Sequence, residues 1–334
     1  GVYFSVRRFK DYGKLSGQSI DQMRSGARIE PDEEKQDPLD FALWKKSKPD
    51  EPYWVSPWGK GRPGWHIECS TMSMKYLKTK TLDIHAGGRD LIFTHHENEI
   101  AQAEASTGKP FAKYWIHHGL LTINGQKMAK SLGNFVTIKD FINKYKDSDL
   151  LKLFFLSAHY SHPMDYNGEK ILEARKQKKS FDEFFAKVDS WRLREGKLKI
   201  NTSKTDIAKI DDICTKFQKT LDDDFNTPQA LACLFELIDL GSGFISLDKQ
   251  QAFNYVKSKL KIFFDIFGLK VAPKQKMPKE IQEKLRERDK DRESKDFKKA
   301  DDIRKEIGKL GYAASDTAGG TTVIFIPEQK NIES

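Results

Sequence analysis

The chain has 334 residues, 38% hydrophobic and 32% charged, with a formal net charge of +9. That length predicts two or three domains with a true core, and no repeat or low-complexity tract interrupts it. No apolar run approaches a membrane span, so bilayer insertion is not expected; the basic balance favours an acidic partner such as nucleic acid, without identifying one.

Gly1-Val2-Tyr3-Phe4-Ser5-Val6 reads as a strand entered from upstream, with neither an initiator methionine nor a signal-peptide pattern. The chain is therefore expected to begin inside a domain. Residues 1–50 are otherwise polar, with a helical patch near Asp21 to Ser25 and a solvated acidic loop from Glu30 to Asp40. Pro52 to Pro63 reads as an aromatic loop, and Trp65 to Leu77 turns helical. Thr81 to His85 is a short strand running into Ala86-Gly87-Gly88. Asp90 to Thr107 reads as one long helix closed by Gly108 and Pro110.

Tyr114 to Ile123 is apolar and β-prone, and Asn124-Gly125 is a strong tight-turn signal. Helical spacing returns in Thr137 to Tyr145 and Ser148 to Ala158. Strands alternating with helices predict an α/β layer with mostly parallel strands. Beyond about residue 165 the pattern is almost wholly helical: Glu169 to Leu193, Asp206 to Leu221, Pro228 to Ser246 and Gln250 to Phe267. Thr227-Pro228 is a good helix start, with threonine as the cap. Gly268, Pro273 and Pro278 mark a linker. A last charged helix carries Phe297, Ala300, Ile303, Ile307 and Leu310 on one face, ahead of Gly311 and a strand from Thr321 to Ile326.

Three clusters carry chemistry. Lys127-Met128-Ala129-Lys130-Ser131 puts two ammonium groups three positions apart on a loop flanked by Gly125 and Gly133. Such groups can close on a polyphosphate whose charge grows as a bond breaks; a basic surface turn is the plain alternative. His95 and Glu99, four apart on the predicted helix, project from one face and can share a divalent ion, although such pairs are commonly solvated. Cys69 offers a thiolate, and cysteine, histidine and glutamate together suit zinc with one position left open. Cys69, Cys214 and Cys233 form no disulfide framework, which points to a reducing, cytoplasmic setting. Cys214 and Cys233 read as core residues. His117-His118, His159 and His162 lack spaced ligand partners and read as structural.

Gly64-Trp65-His66-Ile67-Glu68-Cys69-Ser70, Asp83 to Gln102, and Lys127 to Phe135 resemble, in order and spacing, the motifs of the cysteinyl-tRNA synthetases, which are class I aminoacyl-tRNA synthetases. Asp222-Asp223-Asp224-Phe225-Asn226-Thr227-Pro228 and Ala300 to Arg304 are similar to that family's tRNA-binding portion. Ala129, where the family usually has serine, is a departure. The resemblance implies an α/β fold: part of a Rossmann-like catalytic domain, then an α-helical bundle and a small C-terminal α+β unit. It divides the chain into a connecting insertion (1–50), the second half of the catalytic domain (51–168), a helical tRNA-binding bundle (169–272) and an anticodon-binding unit (273–334).

The same resemblance implies ATP-dependent activation of L-cysteine and its transfer to tRNA(Cys) by a monomer. One Zn2+ would sit on Cys69, His95 and Glu99 and grip the substrate sulfur. Trp65 and His85 would lie beside the amino acid. Asp90 and Gly87 would face the ribose of ATP, although Asp90 also reads as a plain helix cap. Lys130, supported by Lys127, would face the phosphates of Mg2+-ATP. The family's remaining cysteine ligand and its His-x-Gly-His nucleotide motif have no counterpart here, so full catalysis by this stretch alone is not expected. A cysteine ligase acting on an amino sugar, a non-catalytic tRNA binder and a zinc hydrolase fit less well. The first lacks residues 175–330, the second needs no lysine loop, and the third needs two histidines flanking a base.

Overall fold

Strand pairing starts with Val2–Phe4 (β1), which lies antiparallel to Phe41–Lys46 (β2). The computed structural model describes residues 1–20, 35–191, 202–247, 249–270, 277–317 and 320–325. The helical patch expected at Asp21 to Ser25 and the acidic residues 30–34 lie outside them. The described chain divides into two units, Gly1–Leu120 with Ser161–Met164, and Leu121–Tyr160 with Asp165–Ser334.

In the first unit, Trp54–Ser56 (β3) and Gly59–Pro63 (β4) complete a four-stranded sheet in the order β1-β2-β4-β3. This corrects the expectation of an aromatic loop. The Ser56 hydroxyl donates to the Gly59 carbonyl at 2.8 Å and accepts from the Trp58 N–H at 3.2 Å, so a tight turn makes a hairpin from a Gly/Pro-rich stretch. Asp40 is also unlike a solvated loop residue. It is buried and accepts from the Val6 N–H at 3.0 Å.

Helix Trp65–Tyr76 (α1) leads to Leu82–Gly88 (β5), which pairs in parallel with Ala112–His118 (β6). The pairs β1–β2, β2–β4, β3–β4 and Tyr312–Thr317 with Gly320–Phe325 are antiparallel, as is Leu121–Ile123 with Gln126–Lys127, against the expectation of a mostly parallel layer. The long helix opens with a π-helical turn, Ile92–His96, before Glu97–Thr107 (α2). One side of α2 packs with Leu82 and Phe111, the other with Val6, Tyr12 and Phe41. Glu97 through Ala103 are therefore all buried, polar side chains included.

In the second unit, Leu121–Ile123 (β7) and Gln126–Lys127 (β8) form a hairpin about Asn124 and Gly125, both at positive φ (50° and 75°) as a primed turn requires. Met164–Tyr166 (β9), of which Asp165 and Tyr166 belong to this unit, gives the strand order β8-β7-β9. A capping box between Thr137 and Asp140 starts Ile138–Tyr145 (α3), and Ser148–Leu156 (α4) follows. Gly168–Trp191 (α5), Lys204–Asp222 (α6), Thr227–Ser246 (α7) and Gln250–Phe267 (α8) form the bundle. Its core holds Phe181, Phe184, Leu234, Leu237, Phe253 and Phe264, joined by Leu153 of α4. Asn226, rather than Thr227, caps α7.

By length and composition α7 can cross a membrane, with mean hydropathy 1.3 in its most apolar window, contrary to the reading of the sequence. Half of that window is buried in the protein, and Leu231, Leu234, Leu237 and Ile238 enter the bundle core. Cys233 is buried there and Cys214 packs against the same core, as the sequence predicts.

Lys279–Glu293 (α9), Phe297–Lys309 (α10) and the antiparallel strands Tyr312–Thr317 (β10) and Gly320–Phe325 (β11) form the last part. Ala300, Ile303 and Ile307 face inward as their spacing predicts, whereas Phe297 and Leu310 are exposed. The Arg288 side chain is wholly buried, donates to the Ala300 carbonyl at 3.1 Å, and forks onto both Asp316 oxygens at 2.6 and 3.2 Å. It also donates to the Thr321 hydroxyl.

Candidate metal centre and lysine loop

Helix α1 carries Cys69, and the π turn with α2 carries His95 and Glu99. These elements bring a sulfur, an imidazole nitrogen and a carboxylate oxygen within 4.8 Å of one another. Cys69 is exposed, while His95 and Glu99 are buried. Burial raises the Cys69 thiol pKa, and the negative charges of Glu99 and Glu68 add to the shift. A divalent cation would reverse that tendency and favour the thiolate. Burial lowers the His95 pKa, keeping the imidazole in the neutral, ligating form, with Glu99 pulling the other way.

Glu99 is the member with an unmet hydrogen bond. Its Oε2 lies 3.0 Å from His85 Nε2 and 3.7 Å from His95 Nε2. Its Oε1 is buried with no hydrogen-bond partner among the described residues. A buried carboxylate oxygen without a partner is costly, and a cation is one way to satisfy it. The donor set and this orphaned oxygen both fit zinc. A second group, His85, His96 and Glu99, also has its ligand atoms within 4.8 Å and shares the same glutamate.

A relay of polar groups behind the centre sets the orientation of His95. The Tyr12 hydroxyl donates to Asn98 Oδ1, and Asn98 Nδ2 donates to His66 Nε2 at 3.2 Å. An acceptor at Nε2 leaves the His66 proton on Nδ1, which donates to His95 Nδ1 at 2.8 Å. In this tautomer the ring proton of neutral His95 sits on Nε2, facing Glu99 at 3.7 Å, and a cation bound at Nε2 would require that proton to move to Nδ1. Burial holds His66 down to a pKa of about 4, with His95 and Lys45 lowering it further. Sequence reasoning missed Tyr12, His66 and Asn98. His66 had a signal, standing one helical turn before Cys69, whereas Tyr12 lies far off in sequence.

The Trp65 ring stacks on His95 with centroids 4.2 Å apart and planes 16° apart, and its other surface stays open. His85 stacks on Trp115, and His96 meets His117 Nε2 at 2.9 Å through Nδ1. Gly87 sits against the His96 ring: a Cβ there would lie 2.5 Å from Cε1. Asp90 is exposed, and its carbonyl accepts from the Thr94 hydroxyl at 2.9 Å. Among the described residues, neither metal-compatible group includes His117, His118, His159 or His162.

The lysine loop belongs to the second unit. Lys127 closes β8, and Lys130 opens the 3-10 turn Lys130–Leu132, which Gly133 ends at φ 67°. Both lysines are exposed, with the Lys130 ammonium 5.4 Å from the Phe135 ring centre. Asn134, another residue that sequence reasoning did not single out, bridges this loop through both ends of its amide.

Residues 1–176 match the family model of the tRNA synthetases class I (C) catalytic domain. The DALR domain matches 216–272, and the cysteinyl-tRNA ligase anticodon binding domain matches 274–323. A cysteine–tRNA ligase of Anoxybacillus flavithermus is 46% identical over 322 residues, 96% of this chain and 69% of the relative. The chain belongs to the cysteine–tRNA ligase family. Similar ligases occur in Geobacillus thermodenitrificans, 46% identical with 96% and 68% covered, and Geobacter sulfurreducens, 45% identical with 96% and 70% covered. The ligase is thus an ATP-dependent enzyme that joins cysteine to its tRNA, built as a class I catalytic domain followed by helical and anticodon-binding domains.

Proposed function

We propose that Cys69, His95 and Glu99 hold one zinc ion through which the ligase selects cysteine. The observation that carries this is the approach of three ligand atoms within 4.8 Å around an otherwise unsatisfied Glu99 oxygen. When bound, zinc supplies a soft Lewis acid that accepts a thiolate and discriminates against a neutral hydroxyl, a distinction that shape alone makes poorly. Trp65 covers the amino acid from its open surface. His85 orients Glu99 through their 3.0 Å contact.

Asp90 accepts from the ribose hydroxyls of ATP, and Gly87 permits close approach of the nucleotide. Lys130, with Lys127, faces the phosphates of Mg2+-ATP and stabilises the departing pyrophosphate. The nucleophile is the carboxylate of cysteine itself, so the side chains position reactants and balance charge. We assign 1–50 to the connecting insertion, 51–168 to the second half of the catalytic domain, 169–272 to the tRNA-binding bundle and 273–334 to the anticodon-binding unit. The ligase works as a monomer in the cytoplasm, in keeping with its three free thiols.

Cys69→Ser in the full-length ligase tests the assignment. Zinc content and cysteine-dependent pyrophosphate exchange should fall together, while His96→Asn should keep its zinc. Full zinc in the Cys69 variant, or zinc lost only from the His96 variant, would move the site to the second histidine group.

A further inference from the structure

Helix α8 is closed by its own backbone. Gly268 takes a left-handed φ of 63°, its N–H donates to the Asp265 carbonyl, and the Leu269 N–H donates to the Phe264 carbonyl at 2.8 Å. Nothing more is needed to end a helix. Yet the next N–H, that of Lys270, donates at 2.7 Å to Oδ2 of Asp149, from the first turn of α4. Asp149 is only 1% exposed. Its other oxygen accepts from the Lys152 ammonium at 3.1 Å, and the same ammonium donates to the Gly268 carbonyl. Two side chains one helical turn apart therefore clamp both sides of a three-residue segment more than 115 positions away in sequence.

The location gives the clamp its meaning. Asp149 and Lys152 lie in the catalytic-domain match, Gly268 and Lys270 lie at the end of the DALR match, and the anticodon-binding match begins at 274. A buried carboxylate held by a backbone N–H and an ammonium is worth keeping only where geometry matters, since its desolvation offsets much of the attraction. Here it fixes the direction in which the chain leaves α8.

We infer that Asp149 and Lys152 are positioning residues for tRNA: they hold the exit of the anticodon-binding domain so that one tRNA can engage that domain and the catalytic domain together. Packing of β11 on α5 holds the same domain from another side. The inference is independent of the zinc assignment, because cysteine activation does not need the clamp.

The test compares Asp149→Ala, Asp149→Asn and Lys152→Met in the full-length ligase. Three quantities are measured: tRNA-independent pyrophosphate exchange, kcat and KM for tRNA in aminoacylation, and thermal unfolding. Asp149→Ala should leave exchange within about two-fold and raise KM for tRNA about ten-fold with kcat little changed, the sign of lost binding geometry rather than lost chemistry. Asp149→Asn, which keeps an oxygen for the Lys270 N–H, should recover most of the loss. Lys152→Met should raise KM for tRNA about three-fold and covers the case in which Asp149→Ala does not fold. Unchanged KM in Lys152→Met overturns the inference. So does a parallel fall of exchange and charging in Asp149→Asn.

Discussion

The side-chain amide of Asn134 donates from Nδ2 to the carbonyl of Lys127 at 3.0 Å, closing a ring across the lysine loop. Its Oδ1 accepts from the Ala129 N–H at 2.9 Å. One planar amide thus fixes the backbone from which both ammonium groups project. Asn134→Ala should slow pyrophosphate exchange about ten-fold through loss of loop geometry, with little change in melting temperature because the loop is exposed. Asn134→Asp cannot donate to the Lys127 carbonyl and should be no better. ATP-dependent exchange kinetics decide the matter, and wild-type rates in both variants would contradict it.

The polar relay behind the proposed metal centre gives a second expectation. Asn98 links the Tyr12 hydroxyl to His66, which in turn holds His95 Nδ1. Groups that orient a ligating histidine commonly change metal affinity ten- to a hundred-fold, so Asn98→Ala should weaken zinc binding by about ten-fold. Competition with a chelator of known affinity measures it. Tyr12→Phe, one link further out, should weaken binding less.

Gly87 leaves no space for a side chain. A Cβ would lie 2.5 Å from Cε1 and 2.7 Å from Nε2 of His96, whose ring is buried against Trp115 and His117. Gly87→Ala should therefore cost about 1–3 kcal/mol of stability, as overpacking of a filled site does. Denaturant unfolding of the variant reports it. Gly308→Ala, where nothing lies within 4 Å, is the matched control.

Acid stability carries a signature of Asp206. The Lys249 ammonium, at 2.8 Å, together with the Ser203 backbone N–H, holds this carboxyl down to a pKa of about 2. A folded value below the unfolded one stabilises the protein above the unfolded pKa, and the benefit fades as pH falls through the folded value. The gap in melting temperature between wild type and Asp206→Asn should be constant near neutrality and close between about pH 4 and pH 2. A gap that stays constant through that range would point to packing rather than charge.

The metal group was legible because its signals are local. His95 and Glu99 stand one helical turn apart, and Cys69 sits in a run with helical periodicity. The three-apart spacing of Lys127 and Lys130 is likewise a local signal. Glu97 was not: its buried carboxylate accepts from the backbone N–H groups of Gly13, Leu15 and Ser16 at 2.9, 3.1 and 2.9 Å, more than 80 positions away. No periodicity records such a pairing. The π turn at Ile92–His96 escaped because its residues suit an ordinary helix equally well. The β3–β4 hairpin escaped because proline and glycine at its ends read as loop.

Arg288 has a consequence for synthesis. Its guanidinium is cut off from water and depends on Asp316 and Thr321, which are among the last described residues to be translated. Until they emerge from the ribosome, α9 and α10 cannot seal over that charge without stranding it. Packing around Arg288 is therefore expected only once β11 is available, and a chain cut before Thr321 should be more open to proteolysis than the whole domain.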